Sequence, residues 1–424
     1  MMKTYLGIDI GTTNLKVGIV NGEGEVVYEE SSTHNAHVNT TFNHDEQDPR
    51  KILTDLESIF KRNKHFLHEV EGITVTGQMH GILFWDSTAD VWDGKDKEST
   101  SNLITWMDQR CDESFLHSLP LWENETGAKE SNVSTGYGLA TLIWLHKHGL
   151  INKRWDRCGT IMDFVVFSLG VKEYFISDQL AFSWGYMTNK GEWQKNILSL
   201  IYPLALPEIK PSGTIYSSPI ISSFFSKDVK IYVSVGDLQA NISSKMVADE
   251  FKHLLRVPYF NGKYLIVAAS LNGGNALDNF VKLISTFHDQ LFGATKKTLN
   301  ERNLHQLLET PDGQGNRSDP IIRPLFLGER HSNQRASISN LSADTRLDEC
   351  VRAIKKGVIE NLAEMLPVNL LESNGIQNVI LLNRAANDEI CFTTAKQTFE
   401  PLTVIKSTKN ISAALGAARL CIQK

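Results

Sequence analysis

The chain has 424 residues, 41% of them hydrophobic and 22% charged, the balance of an ordinary globular protein long enough for two domains with a cleft between them. A net charge of −6 gives no basic field for nucleic acid, and no uninterrupted apolar stretch approaches the roughly 18 to 20 residues of a membrane span. Five scattered cysteines with no C-x-x-C pair argue against a disulfide framework or a zinc site, and Met1 to Asp9 runs into a strand without an apolar leader, so buried thiols and a cytoplasmic location are expected.

Tyr5 to Val20 reads as two apolar strands joined by Gly11-Thr12-Thr13, a tight turn whose backbone N–H groups and two hydroxyls suit an anion such as phosphate. Asn21-Gly22-Glu23-Gly24 signals a hairpin, so Glu25 to Glu29 is a third antiparallel strand. The glycine turn therefore joins strands of a meander and opens no helix, which excludes the P-loop and the dinucleotide-binding fingerprint. Val70 to Thr76 ends at Gly77 as a strand, Ile82 to Trp85 is another, and Leu103 to Met107 returns to strand character after a breaker-rich loop. Thr135 to Leu145 is predicted helical. Ile231 to Val235 is a strand ending at Gly236-Asp237, and the domain boundary is placed just before it, giving domains 1–228 and 229–424. Leu347, Val351, Ile354, Val358, Leu362 and Met365 fall on one face of a helix from Arg346 to Leu366, stopped by Pro367. Ser412 to Leu420 carries small residues at helical spacing, fit to lie close against a neighbouring backbone.

Asp9 ends the first strand beside the glycine turn, and Asp237 holds the matching place on a later one. Two strand-end carboxylates suit a division of labour, one near metal-bound phosphates and one accepting a proton from an attacking hydroxyl. Two solvated turn aspartates are the bland alternative. Gln78-Met79-His80-Gly81 and Trp106-Met-Asp108-Gln-Arg110 bring amide, imidazole, indole, carboxylate and guanidinium groups to strand ends, the mixture of polar groups and aromatic surface that a polyol needs. Taken alone, His80 and Trp106 are more often structural.

Together these segments resemble the FGGY carbohydrate kinases along nearly the whole chain. The likeness runs through Gly7 to Thr13, Gly77 to Gly81, Thr105 to Arg110, Ser134 to Gly138, Ser177 to Gln179 with Ser183 to Tyr186, Gly236 to Ala240, Ala268 to Asn275 and Leu327 to His331. It implies an α/β fold of two actin-like, ribonuclease H-type ATPase domains in which MgATP and a ketose meet. The γ-phosphoryl group passes to the sugar's terminal primary hydroxyl. Within the family the likeness is greatest to the branch acting on sedoheptulose. By the same resemblance Asp237 is the general base and Asp9 the carboxylate near Mg2+. Gly11, Thr12 and Thr13 hold ATP phosphates, and Gln78, Met79, His80, Trp106 and Asp108 face the sugar. Gly274 and Asn387 lie on the nucleotide side.

Two family elements are missing from the second half. The phosphate-closing turn is shortened near 250–255, and the adenosine turn is the glycine-free Val379 to Asn387, where Arg384 would clash with or stack on a base. A catalytically impaired sugar-binding relative or splice form is thus the alternative to an active kinase. A sugar-independent ATPase of the actin or Hsp70 kind ranks third, because it leaves the Gln78 and Trp106 segments without a purpose.

Overall fold

A computed structural model describes residues 3–41, 43–92, 96–123, 129–130, 133–188, 190–217, 224–225, 229–237, 255–260, 263–292, 320–329, 334–407 and 412–422. The chain divides into two compact units, one of residues 1–245, 257–264 and 411–424, the other of 246–256 and 265–410. The shortening expected near 250–255 falls almost wholly outside the described residues.

The first unit is built on a five-stranded sheet of β1 (Thr4–Ile10), β2 (Asn14–Asn21), β3 (Val26–Thr33), β4 (Val70–Gly77) and β5 (Lys230–Gly236), in the spatial order β5-β4-β1-β2-β3. The meander β1–β2–β3 is antiparallel, as the two turns dictate, whereas β4 and β5 run parallel to β1. Register aligns Ile10 with Gly77 and Gly77 with Gly236. The carboxyl ends of three strands therefore finish in one row, the place where open α/β sheets bind ligands. β1, β4 and β5 are buried along almost their whole length, which reflects cover on both faces.

One covering element is the helix Pro49–Arg62, started by the Asp48 cap and a proline in its first turn, with Ile52, Leu53, Leu56, Ile59 and Phe60 buried. Another comes from the far end of the chain. The helix Ala413–Leu420, capped by the Ser412 hydroxyl, lies so close to β1 that a Cβ on Gly7 would sit 1.8 Å from the Ala414 carbonyl oxygen. Its small residues thus do what their spacing foretold, and their partner is the first strand. Across that contact the Thr74 hydroxyl lies 3.0 Å from Cys421 Sγ, and burial pushes the Cys421 thiol up to about 12. Cys111, Cys158 and Cys421 are buried, Cys350 and Cys391 half-buried, and all five thiols are free.

Two sequence expectations need correction. The boundary at 228/229 falls inside the first unit, because β5 pairs with β4 and completes that unit's sheet, and the chain's last helix returns to it. The strand expected over Leu103 to Met107 ends after Ile104, because Thr105 donates through its hydroxyl to Asp45 Oδ1 (2.5 Å) and Trp106-Met107 turn away.

The second unit contains the helices Ala276–Phe292, Leu347–Met365 and Glu389–Thr398. Leu347–Met365 packs on Glu389–Thr398 and on the strand Ile321–Arg323, where a Cβ on Gly357 would meet the Ile322 carbonyl oxygen at 2.2 Å. Among the described residues its strands form only two-stranded pieces, such as Ile321–Arg323 with Ser337–Ser339 and the parallel pair Asn378–Leu381 with Thr403–Lys406.

Candidate active site

At the carboxyl end of β1, Asp9 stands opposite Lys16 of β2 and beside Thr76 of β4. Asp237 directly follows β5, whose last residue, Gly236, aligns with Gly77. The two carboxylates sense each other. Burial, then the charge of Asp237, push the Asp9 carboxyl up to about 7, while Lys16 pulls it down. The structure thus brings together the two aspartates that the sequence singled out.

Gly11-Thr12-Thr13 forms the bend between β1 and β2, closed by the Gly11 N–H donating to the Asn14 carbonyl at 2.9 Å. Its carbonyl oxygens are held from behind. Gln47 Nε2 donates to the Thr12 carbonyl (2.8 Å), His34 Nε2 to the Gly11 carbonyl (3.1 Å), and the His34 N–H to the Thr13 carbonyl (3.3 Å). Gln78 completes this bracket. Its backbone N–H reaches the Ile10 carbonyl at 2.8 Å and its side-chain amide donates to Gln47 Oε1 at 2.9 Å, while its own buried carbonyl oxygen has no partner among the described residues. The nitrogen end of the Gln78 amide therefore braces the Gly11-Thr12-Thr13 bend, and its oxygen end is the part left for the sugar-side role that the resemblance implies.

The remaining sugar-side segments converge as a cluster. Gly136, at φ +77°, lets the Ser134 to Gly138 loop touch the Trp106 backbone, where a Cβ would meet the carbonyl oxygen at 2.2 Å. Tyr137 stacks on His80 with ring centres 4.8 Å apart. His80 Nδ1 lies 2.7 Å from the Ser183 carbonyl oxygen, which only accepts, so Nδ1 carries the proton. In the neutral ring Nε2 is then the acceptor nitrogen. Met79, His80 and Trp106 are half-buried, so each keeps surface for a ligand.

Asp108 departs from its expected place. It is 1% exposed, and its two oxygens take the Arg110 N–H (3.0 Å), Arg110 Nε (2.8 Å), an Arg110 terminal nitrogen (2.8 Å) and the Asp45 N–H (2.8 Å). Four donors fill both oxygens, so Asp108 fixes the turn that carries Trp106 and has no lone pair left for a sugar.

Sequence reasoning assigned no role to Gln47, His34, Gln179 and Ser183. Gln179 is fully buried and takes the Gly236 N–H on Oε1 at 3.2 Å, so it buttresses the strand end before Asp237. Ser183, at the other end of the helix Asp178–Trp184, anchors His80. One helix thus supports both the carboxylate and the imidazole.

The nucleotide-side residues lie in the second unit. Gly274 sits in the loop leading into Ala276–Phe292 with nothing within 4 Å of a Cβ built on it. That loop is held by buried Glu329, which takes the Ser270 hydroxyl at 2.5 Å and the Leu271 N–H at 3.0 Å. The Ala268 to Asn275 and Leu327 to His331 segments therefore meet through their described residues. Asn387 is exposed at the end of a single helical turn, Asn383–Asn387, which occupies the glycine-free segment; Arg384 is exposed on it. Among the described residues no group of three or more acidic, histidine or cysteine side chains could hold a metal, and no helix is long and apolar enough to cross a membrane.

Residues 4–240 match the N-terminal domain of the FGGY family of carbohydrate kinases. The chain is 31% identical to a sedoheptulokinase of Mus musculus over 475 residues, covering 99% of this chain and 97% of that protein, and 30% identical to a sedoheptulokinase of Homo sapiens with the same coverage. The crystal structure of gluconate kinase from Lactobacillus acidophilus superposes with a TM-score of 0.72 at 17% identity, over 100% of this chain and 89% of that one. The chain therefore belongs to the FGGY family of carbohydrate kinases, ATP-dependent enzymes, and has their actin-like ATPase fold. The 475 positions aligned with the mouse protein exceed the 424 residues here, so at least 51 of them have no counterpart in this chain.

Proposed function

We propose that this chain transfers the γ-phosphoryl group of ATP to the terminal primary hydroxyl of a ketose, with sedoheptulose giving sedoheptulose 7-phosphate. The observation that carries this reading is the pairing of Asp9 with Asp237 at a row of strand ends, beside a turn whose three carbonyls are each held by a hydrogen-bond donor. The identity to the two sedoheptulokinases supports the choice of sugar.

In this reading the sugar hydroxyl oxygen attacks the γ-phosphorus, its proton passes to the Asp237 carboxylate, and the bond to the β,γ-bridging oxygen breaks to release ADP. Thr12 and Thr13 offer N–H and hydroxyl donors to the phosphates. Met79, His80 and Trp106 receive the sugar, with His80 Nε2 accepting from a hydroxyl and the indole covering a carbon face. Asp9 suits Mg2+, since a carboxyl raised by burial and a second carboxylate gains from a cation, and one or two carboxylates plus phosphate oxygens make an ordinary Mg2+ shell. When bound, the cation would offset the negative charge of the triphosphate. Gly274 and Asn387 are assigned to the nucleotide from the second unit.

The test is ADP release across a panel of ketoses with MgATP. The expected result is release that requires sugar, with the highest kcat/KM for sedoheptulose. ADP release of equal rate without sugar would contradict the reading and favour the ATPase alternative. The second reading, sugar binding without transfer, is favoured by the exposed, glycine-free Asn383–Asn387 turn and by the shortfall in length. Sugar binding with no ADP release would establish it.

A further inference from the structure

A trans peptide unit is planar and its C=O and N–H point in opposite directions, so holding one fixes the other. The Gly11 carbonyl is held by His34 Nε2 at 3.1 Å and lies 3.4 Å from Gln78 Nε2, which turns the Thr12 N–H away from both. The Thr12 carbonyl is held by Gln47 Nε2 at 2.8 Å, which turns the Thr13 N–H away from Gln47. The His34 backbone holds the Thr13 carbonyl at 3.3 Å. All three carbonyls of the bend are thus engaged, so the N–H of each of these peptides points away from the group that holds its carbonyl. A bend between two strands has no helix to align its donors, and side chains distant in sequence do so here.

The bracket is itself held in one arrangement. The Ala36 N–H donates to His34 Nδ1 at 3.2 Å, so that nitrogen is an acceptor and Nε2 bears the proton given to Gly11. Gln47 Oε1 accepts from Gln78, which leaves Gln47 Nε2 as the end that faces Thr12. Gln47 is 2% exposed, so water offers no replacement for a lost donor. Burial also holds the His34 imidazole below its ordinary range, which keeps it neutral and in this tautomer at neutral pH.

We propose that Gln47, seconded by His34, is a positioning residue for phosphoryl-donor binding: it orients the Thr12–Thr13 peptide so that its N–H meets a phosphate oxygen. The assignment rests on the kinase reading above and adds residues that neither contact sugar nor move a proton.

Calorimetric titration of the whole chain with MgATP, and separately with sedoheptulose, tests it in wild type, Gln47→Met, His34→Phe and His34→Gln. Expected are about tenfold weaker MgATP binding in Gln47→Met and His34→Phe, sugar affinity within about twofold of wild type, and recovery in His34→Gln, which keeps an N–H donor. MgATP affinity unchanged in both donor-less variants, or ATP and sugar weakened by the same factor, would overturn the positioning role while leaving the kinase reading intact. If Gln47→Met does not fold, the His34 pair decides alone. A wild-type chain that binds sugar but no MgATP would overturn both readings together.

Discussion

The two units differ in how they are held together. In the first, a five-stranded sheet is covered on both faces, one large core runs through it, and three of the candidate positions at its strand ends are braced by a buried partner: Gln179 behind Gly236, Ser183 behind His80, Gln47 behind Thr12. In the second, among the described residues, the strands pair only in twos, the buried apolar side chains form several small clusters, and Ile380 is 57% exposed beside Ile405, its ladder partner, at 42%. Catalytic placement needs rigid elements and filled supporting contacts. In the first unit such contacts stand behind the strand end before Asp237, the Gly11-Thr12-Thr13 bend and His80, whereas Gly274 stands on an open loop and Asn387 on an exposed helical turn. Among the described residues, the candidate groups with filled supporting contacts therefore lie in the first unit.

The sharpest way to break this contrast is at Gly7. Gly7→Val places side-chain atoms where the Ala414 carbonyl already lies, so the first unit should lose about 3 kcal/mol or more and the chain should fail to express in soluble form. Normal thermal unfolding of this variant would show that the helix Ala413–Leu420 does not clamp the sheet.

Asp9 sets function against stability. Its carboxyl titrates near 7 in the folded chain and near 3.8 unfolded, so the folded state retains a proton that the unfolded state loses. That contribution is complete below about pH 3.8 and is lost as pH rises to about 7. Asp9→Asn should cut turnover about a hundredfold or more, yet melt higher than wild type at pH 8 by about 1 kcal/mol, with the gain gone at pH 4. Paired melts at the two pH values check the sign; a variant less stable at pH 8 would contradict the burial argument.

In the second unit the expected effects are small. Gly274→Ala has room for its methyl group, so stability should stay within about 0.5 kcal/mol, and a fall in MgATP affinity would then report contact with the nucleotide. Ile380→Thr should likewise move the melting temperature by about 1 °C or less; a large loss would mean that this face is covered.

Much of the first unit was legible in its sequence because the relevant signals are local. β1, β4 and β5 announce themselves by runs rich in apolar and β-branched residues closed by glycines, and the bend Gly11-Thr12-Thr13 lies between two such runs. The pairing of Asp9 with Asp237 followed from their matching strand-end positions. What was hidden depends on distance along the chain. Gln47 meets Thr12 across 35 residues and His34 meets Gly11 across 23, and neither polar side chain carries a periodic or turn signature. Asp108 looked like a ligand because its neighbours are polar and aromatic, but Arg110, two residues on, folds back and fills it. Leu103 to Met107 looked like a strand because its apolar run hides Thr105, whose hydroxyl ends it. The small residues of Ser412 to Leu420 signal close packing without naming β1 as the partner, and the run Ile231 to Val235 signals a strand without naming β4 as its neighbour, so the domain boundary expected before it falls too early.

The most direct test is incubation of purified protein with MgATP and sedoheptulose, with Asp237→Asn alongside, scored by mass spectrometry for the sugar's gain of one phosphate. Product from wild type and none from the variant, with sugar still bound by both, is the expected result. Product formed at equal rate by Asp237→Asn would contradict the assignment of the base, and sugar left unmodified by the wild type would contradict catalysis by this chain.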